Sequence, residues 1–388
     1  MRSHWEQIKL ADLFELQMGK TPAREKEQYW KNGTRKWVSI ADISKFSRYT
    51  ENTKESITDQ AVSETGIRQV PANTIIMSFK LSLGKVAITS EPLYTNEAIM
   101  AFVDRKERPL SLSFLFHLFK NKDWSAGTNK AVLGMTLNKA TLKEISIPVP
   151  PLSEQEDIAE KLDAVSRLIT LREQQLKKLD QLASSRFIEM FGDPVTNPMC
   201  WSQKTMKEMA LRLSDGPFGS NLKSEHYAND GIRVIRLQNI GVNKFVDNDR
   251  AFVSLQHYET IKKYTCRGGD IVIGTLGEPN LRACLIPNYI HVAINKADCV
   301  HYVPNDIFLN KIFVCFYLNI PATLSLASGM IHGQTRSRIS SGQIAKLPII
   351  LPPLSLQNEF AAFIEQLDKS KVICNKMHKM VEFSLFRV

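Results

Sequence analysis

The sequence predicts an α+β fold in which two pseudo-repeated, mixed α/β globules are joined by two long helices that form an antiparallel coiled coil. Three observations predict it. A proline-containing segment occurs twice, short β-rich runs alternate with turn residues in each half, and a heptad pattern follows each proline segment. At 388 residues the chain is long enough for two or three domains.

The repeated proline segment is the strongest organisational feature of the chain. The letters IPVPPLSEQEDIAEKL at residues 147–162 return as IILPPLSLQNEFAAFI at residues 349–364, 202 positions later. A tryptophan, Trp5 or Trp201, opens the unit that precedes each copy. Because a long-period repeat indicates a repeated structural unit, we predict two copies of a globule followed by a helix.

Each globule is predicted from short apolar runs that are bounded by turn residues. In the first half of the chain, strands are expected at residues 37–40, 74–79, 85–89 and 98–103, and a helix at 111–121. In the second half, strands are expected at residues 232–237, 270–274 and 299–303, and a helix at 307–319. The pattern predicts a mixed α/β globule in each half.

A long helix is predicted after each proline pair, because proline ends the strand and stops an earlier helix from continuing. Ser153 is the predicted N-cap of the first helix, with Glu156 completing a capping box, and Ser355 caps the second. Apolar residues then recur with the 4-3 spacing of a coiled-coil seam. The seam residues are Ile158, Leu162, Val165, Ile169, Leu176, Leu179, Phe360, Ile364, Leu367 and Val381.

These elements divide the chain into four segments. Residues 1–150 form the first globule, 151–192 the first helix, 193–350 the second globule and 351–388 the second helix. Each helix could pack only on its own globule. A long helix with a narrow apolar stripe is typical of helix pairing, however, and the chain supplies a second helix of matching length.

Composition and charge narrow the class of protein. The chain is 43% hydrophobic and 23% charged, which is typical of a globular protein, and its net charge of +10 favours a polyanionic partner. The six cysteines form no CxxC pair, so we expect free thiols in a reducing cytoplasm and no structural metal site. We expect neither a signal peptide nor a membrane span, because no long apolar run occurs.

The arrangement of globule, PPLSEQ helix, globule and PPLSLQ helix resembles the specificity subunit of type I restriction-modification systems. The resemblance implies that the globules are target-recognition domains and that the helices space them along double-stranded DNA. It implies two methyltransferase subunits as partners, with S-adenosylmethionine bound by them, and further restriction subunits that use ATP and Mg²⁺. It implies no cofactor and no active site on this chain, and a bipartite, asymmetric DNA target.

Candidate DNA contacts are polar and basic residues in glycine- or proline-containing loops between strands, because base edges and phosphates are contacted by such side chains. Arg236 and Gln238 alternate with Ile235 and Leu237, so they are predicted on one face of a strand. The candidates are Lys20, Arg24, Lys26, Arg35, Lys36, Lys80, Lys85, Asn129, Lys130, Asn221, Lys223, Arg233, Arg236, Gln238, Arg282, Lys296, Gln334, Arg336 and Arg338.

Catalysis by the chain itself is not expected. The sequence contains no Asn/Asp-Pro-Pro-aromatic motif to hold a flipped adenine, no glycine-rich cofactor loop and no carboxylate cluster. Two other functions stay open at this point. The chain could be a coiled-coil scaffold whose globules bind something other than DNA, or the recognition part of a type II or phage-exclusion methylation system.

Overall fold

The computed structural model describes residues 5–80, 82–124, 129–131, 134–329 and 338–385, and within these ranges the side chains of 129–131, 134–136 and 376–385 are not described. The chain divides into two compact units. Unit 1 comprises Met1–Thr170 with Met380–Val388, and unit 2 comprises Leu171–Lys379.

Unit 1 is built on a four-stranded antiparallel sheet and a three-stranded sheet. Its strands are β1 (Glu6–Lys9), β2 (Phe14–Met18), β3 (Arg35–Val38), β4 (Glu55–Ile57), β5 (Ile75–Ser78), β6 (Val86–Ile88), β7 (Tyr94–Thr95), β8 (Ile99–Asp104), β9 (Asn129–Ala131), β10 (Gly134–Thr136) and β11 (Ser146–Val149). The larger sheet has the order β2-β8-β5-β6. In the smaller sheet, of order β4-β3-β7, strands β3 and β7 are parallel.

Unit 2 repeats this topology. Its strands are β12 (Gln203–Thr205), β13 (Ala210–Ser214), β14 (Tyr227–Ala228), β15 (Ile232–Ile235), β16 (Ala251–Val253), β17 (Thr265–Cys266), β18 (Ile271–Gly274), β19 (Ala283–Leu285), β20 (Ala293–Asn295), β21 (Cys299–Pro304) and β22 (Pro348–Ile350). One sheet has the order β13-β21-β18-β19, the same as β2-β8-β5-β6. The other has the order β14-β16-β15-β20-β17, with β15 and β20 parallel.

Unit 1 contains α1 (Leu10–Leu13), α2 (Ile40–Ile43), α3 (Asp59–Thr65), α4 (Leu112–Asn121) and α5 (Lys139–Glu144). Unit 2 contains α7 (Leu255–Ile261), α8 (Lys311–Asn319), α9 (Pro321–Ser328) and α10 (Ser341–Lys346). Three short helices of each unit occupy equivalent places in the chain order, namely α3, α4 and α5 in unit 1 and α7, α8 and α10 in unit 2. The two long helices are α6 (Leu152–Phe191) and α11 (Leu354–Leu385), with 40 and 32 residues. The predicted fold class, an α+β protein with two repeated units and two long helices, is confirmed.

Each long helix begins two residues earlier than an N-cap at Ser153 or Ser355 would place it. The carbonyl of Pro151 accepts from the backbone N–H groups of Glu154 and Gln155, at 2.9 and 3.0 Å, so α6 starts at Leu152. In the same way Pro353 accepts from Leu356 and Gln357. The prediction that Ser153 and Ser355 are the N-caps is therefore wrong, because both serines lie inside the first turn.

The repeated glutamine of the motif ties each long helix to its globule. In unit 1 the buried Gln155 donates to the carbonyls of Pro150 and Pro109, at 2.9 and 3.3 Å. Its Oε1 accepts from the backbone N–H of Ser111, the N-cap of α4, at 2.8 Å. Buried polar groups need hydrogen-bond partners, and here the glutamine side chain and the backbone groups supply them to one another. The contact therefore fixes the point at which the helix leaves the globule.

Gln357 makes the same contact in unit 2. This buried side chain donates to the carbonyls of Pro352 and Phe308, at 2.8 and 2.9 Å, and accepts from the backbone N–H of Asn310 at 2.9 Å. Asn310 is the N-cap of α8, the helix that corresponds to α4. The motif recurs because each copy anchors a long helix to the same point of its globule. We call these two residues the anchor glutamines.

The apolar core of unit 2 includes both long helices. Phe360 of α11 is fully buried, with ring centres 5.4 Å from Phe187, 5.6 Å from Phe191 and 5.2 Å from Phe316. Further along, Arg186 pairs with Glu359, Asp180 with Lys371, and Cys374 with Gln175. Along these three pairs the residue number falls in α6 as it rises in α11. Within unit 2 the two helices therefore run antiparallel.

The predicted seam residues lie on the covered face of each helix wherever their side chains are described. Leu162, Phe360, Ile364 and Leu367 are buried. Five others are half-buried, namely Ile158, Val165, Ile169, Leu176 and Leu179. Val381 lies in α11, but its side chain is outside the described part.

Unit 1 anchors α6 with a polar network as well. Asp163 lies 2.6 Å from the Nη1 of Arg48 and 2.6 Å from the Nε2 of His117, and accepts from Ser113 at 2.9 Å. Burial raises the pKa of Asp163, but the hydrogen bonds from His117, Ser113 and Arg48 outweigh it, so the pKa is lowered overall. Burial lowers the pKa of His117, so the imidazole is held largely neutral.

Candidate nucleic-acid interface

Three loops of unit 1 meet where the parallel strands β3 and β7 end. The backbone N–H of Asn96 donates to Val38, and that of Lys20 donates to Thr95, at 3.1 and 2.8 Å. Gly19 makes this possible, because a Cβ there would overlap the carbonyl oxygen of Thr95. Ligands of α/β sheets commonly bind beyond the carboxyl ends of parallel strands, where loops converge.

Unit 2 has the same convergence of loops. The N–H of Lys296, after β20, donates to the carbonyl of Ile235 at 2.9 Å, as Asn96 donates to Val38. Gly216 lies against the carbonyl of Asn295, as Gly19 lies against Thr95, and has no room for a Cβ. The two glycines therefore hold equivalent places in the two units.

A fourth segment reaches this end of each unit. In unit 1 the N–H of Phe79 donates to Ala98, and in unit 2 the N–H of Thr275 donates to Asp298, both at 3.0 Å. Ile339 in turn donates to the carbonyl of Thr275, which brings Arg338 beside Asp298, with a nitrogen-oxygen distance of 3.4 Å. We name this convergence of loops the loop edge. It consists of residues 19–21, 39–42, 79–80 and 96–97 in unit 1 and 216–218, 236–239, 275–276, 296–298 and 338 in unit 2.

The loop edge collects six of the sequence-predicted DNA contacts. These residues are Lys20, Lys80, Arg236, Gln238, Lys296 and Arg338. The unit 2 edge adds Phe218, which is 47% exposed and whose ring centre lies 6.0 Å from the guanidinium of Arg338. An exposed aromatic ring beside basic groups suits contact with bases and phosphates.

A second group of predicted residues surrounds an aromatic cluster of unit 1. The guanidinium of Arg24 lies 3.9 Å from the ring centre of Trp30. Each basic residue here has a partner: Arg24 pairs with Glu55, Lys26 with Tyr29, Arg35 with Asp59 and Lys36 with Glu91. Three of these four partners are acidic and reduce the net positive potential of this face. Arg236 and Arg338 of the loop edge are paired with acids in the same way, so pairing alone does not rank the two groups.

Two predicted arginines form internal contacts. Arg233 is only 7% exposed and pairs with Asp247 at 2.7 Å. Arg282 donates to the carbonyls of four residues, Leu237, Ile240, Leu276 and Pro279. Both guanidinium groups donate to neighbouring protein groups and so stabilise the loops of unit 2.

The predicted strand position of Arg236 and Gln238 is wrong. Strand β15 ends at Ile235, and Leu237–Asn239 form a short 3-10 helix. Asn239 causes the turn: its Oδ1 accepts from the N–H of Arg236 at 2.9 Å, and its Nδ2 donates to the carbonyls of Val246 and Asp249. Both predicted side chains nevertheless reach the loop edge, through a turn instead of a strand.

The remaining predicted residues are dispersed. Lys85 is exposed before β6, Lys223 lies 3.6 Å from Glu225, and the carbonyl of Asn221 contacts the Nε2 of His257. Asn129 and Lys130 lie in β9, but their side chains are not described. Gln334 and Arg336 lie outside the described residues.

One acidic residue that no sequence pattern indicated organises the unit 2 edge. Asp249 pairs with Arg236 through one carboxylate oxygen, and its other oxygen accepts from Gln238 at 2.8 Å. The hydrogen bond from Arg236 is the main reason that the pKa of Asp249 is lowered, against the opposing effect of burial. The carboxylate therefore stays ionised and holds both side chains.

The described residues offer little for metal or thiol chemistry. Among them no group of three or more His, Cys, Asp or Glu side chains is placed to hold a metal ion. Burial raises the pKa of the Cys284 thiol to about 12, so this cysteine is a poor nucleophile. No single described helix is long and apolar enough to cross a membrane, although the bent pair α8 and α9 passes that test jointly.

The sequence matches the family model described as the type I restriction modification DNA specificity domain, over residues 2–181 and again over residues 218–382. The chain belongs to this family. The first range contains the loop edge of unit 1, and the second contains that of unit 2 from residue 218 onward. The resemblance drawn from the repeated PPLS motif is confirmed. The chain is thus a type I specificity subunit, a recognition subunit rather than an enzyme.

Curated relatives match this specificity subunit over nearly all of its length or over one part of it. It is 25% identical over 398 residues to the type I restriction enzyme MjaIX specificity subunit of Methanocaldococcus jannaschii, covering 97% of this chain and 89% of that protein. It is 26% identical over 157 residues to the EcoR124I/EcoR124II specificity subunit of Escherichia coli, covering 39% of this chain and 38% of that protein.

Solved structures share the fold of this specificity subunit. A chain from a study of complex assembly and conformational transition of the type I R-M system matches with a TM-score of 0.63 at 17% identity, covering 100% of this chain and 96% of that one. The S subunit from M. genitalium matches with a TM-score of 0.53 at 15% identity, covering 99% and 94%.

Proposed function

We propose that this specificity subunit recognises a bipartite, asymmetric double-stranded DNA target and assembles with two adenine-methyltransferase subunits. The observation that carries the proposal is the repeated unit: each globule presents a polar loop edge, and each is joined to a long helix through an identical anchor glutamine. The two edges carry different side chains, so two different half-sites are expected.

The long helix supplies a length for the spacer between half-sites. At 1.5 Å per residue, the 40 residues of α6 extend about 60 Å, which corresponds to about 18 base pairs of B-DNA at 3.4 Å each. The unread spacer cannot exceed this length by much if the helix holds the two recognition domains apart.

Exposed apolar residues on the two long helices support the proposal that protein subunits bind there. In unit 2, Leu171 and Leu182 of α6 are 59% and 48% exposed, and Val372 and Ile373 of α11 are 52% and 61% exposed. We propose these side chains as part of the surface that the partner subunits cover. The proposed methyltransferase subunits would bind S-adenosylmethionine, and restriction subunits would bind ATP and Mg²⁺.

The salt dependence of DNA binding separates this function from that of a protein-binding scaffold. We expect the complex with its methyltransferase to bind duplex DNA with an affinity that falls steeply with salt, because phosphate contacts release counterions. The substitution Lys296→Ala should reduce the slope of log K against log salt by about one, whereas Lys177→Ala, on the exposed face of α6, should leave it unchanged. Binding that is weak and insensitive to salt would favour the scaffold.

A further inference from the structure

The turn after the first parallel strand is equivalent in the two units. Val38 and Ile235 accept from the N–H groups of Asn96 and Lys296, so Ser39 corresponds to Arg236 and Asp42 to Asn239. From the first to the fourth position of the turn, side-chain exposure also corresponds. The first and second positions are half-buried, the third, Ala41 or Gln238, is exposed, and the fourth is buried.

The buried fourth position has the same function in both turns. In unit 1, Asp42 accepts from the N–H of Ser39 at 3.0 Å and from the N–H of Lys54 at 3.2 Å. In unit 2, Asn239 accepts from the N–H of Arg236 and donates to the carbonyl of Asp249 at 2.8 Å. Each side chain ties its turn to the segment that follows in sequence, so the backbone frame is maintained.

The first and third positions of the turn carry side chains of different chemical type in the two units. Unit 1 has Ser39 and Ala41, which are small, where unit 2 has Arg236 and Gln238, which are long donors. The backbone contacts of the turn are equivalent in the two units, whereas the side chains at these two positions differ. This is the pattern expected of positions that select a ligand, because the frame sets the geometry and the presented groups set the preference.

Asp249 holds the two unit 2 side chains before any ligand binds. It pairs with Arg236 and accepts one amide hydrogen of Gln238. The second amide hydrogen and the Oε1 of Gln238 are the donor and acceptor that an adenine edge requires in the major groove. Because Asp249 offsets the charge of Arg236, the cluster adds hydrogen-bonding selectivity more than general attraction to phosphates.

We propose that Arg236 and Gln238, positioned by Asp249, determine a base of the half-site read by unit 2, and that Ser39 and Ala41 occupy the corresponding positions for unit 1. This inference rests on the proposed function, since it assigns specificity within a DNA-recognition subunit.

The test is the methylated motif of a strain that carries the full chain and its methyltransferase. With Gln238→Ala, we expect one position of one half-site to relax from a single base to two or more, while the other half-site and the spacer length stay unchanged. The double variant Arg236→Ser with Gln238→Ala, which copies the unit 1 residues, should relax or change that half-site further.

Arg250→Ala is the matched control. Arg250 is a 64% exposed arginine that directly follows Asp249 in sequence but pairs with Asp247, and its removal should leave the motif intact.

The outcomes distinguish this inference from the function on which it rests. If the unaltered chain directs no bipartite motif, the proposed function fails. If it directs one and Gln238→Ala leaves both half-sites unchanged, the assignment of Arg236 and Gln238 is wrong. Loss of both half-sites together in Gln238→Ala would also overturn it, because this exposed residue would then act on assembly and not on one half-site.

Discussion

Replacing an anchor glutamine by leucine is expected to lower the free energy of unfolding of the chain by about 2–4 kcal/mol. In Gln357→Leu, the backbone N–H of Asn310 and the carbonyls of Pro352 and Phe308 lose their partner. A buried polar group without a partner costs about 1–3 kcal/mol. Gln155→Leu should have a similar effect, because its contacts are the same in kind.

Urea unfolding of the full chain measures this effect, with tryptophan fluorescence as the probe. The control is Gln366→Leu, a glutamine of α11 that is exposed, and its substitution should change the free energy by no more than about 0.5 kcal/mol. Equal stability of Gln357→Leu and Gln366→Leu would show that the anchor contact does not hold the helix to the globule.

Lengthening both long helices by one heptad is expected to change the DNA spacer or to abolish recognition. Duplicating Leu176–Leu182 in α6 and Leu367–Ile373 in α11 keeps the seam in phase, because seven residues make almost two turns. The added length is about 10 Å, or about three base pairs. The half-sites should be retained if recognition survives, since no loop-edge residue changes.

The methylated motif in cells that carry the lengthened chain is the measurement. An insertion of five residues in each helix is the control, because it turns the seam away from its partner and should abolish methylation. An active heptad variant with an unchanged spacer would contradict the proposal that the helices set the distance between half-sites.

The repeat made the architecture predictable, but the ends of the elements depended on contacts between distant residues. Sheet strands such as β5 and β18 fell within the expected runs, since those runs are short and apolar. Strand β15 ended two residues early because Asn239 bonds to Val246 and Asp249 across the loop. The long helices began before their serines, because the proline carbonyls accept the first bonds of each helix.

The candidate site was predictable only in part, because local sequence patterns do not show contacts between distant residues. The loops that follow strands β2 and β20 indicated Lys20 and Lys296, because these strands end at the loop edge. Alternation along the sequence did not show that Arg233 and Arg282 contact groups up to 45 positions away in the chain. It also gave no signal for Asp249, whose function is visible only when the turn and the following loop are brought together.

We propose that this chain directs methylation to one bipartite DNA sequence. Sequencing that detects methylated adenine across the genome tests it most directly, in a strain with the methyltransferase gene and with or without the gene for this chain. We expect that removing the chain abolishes methylation at one asymmetric motif with two unlike half-sites and an unread spacer. Methylation that is the same with and without the chain would contradict it.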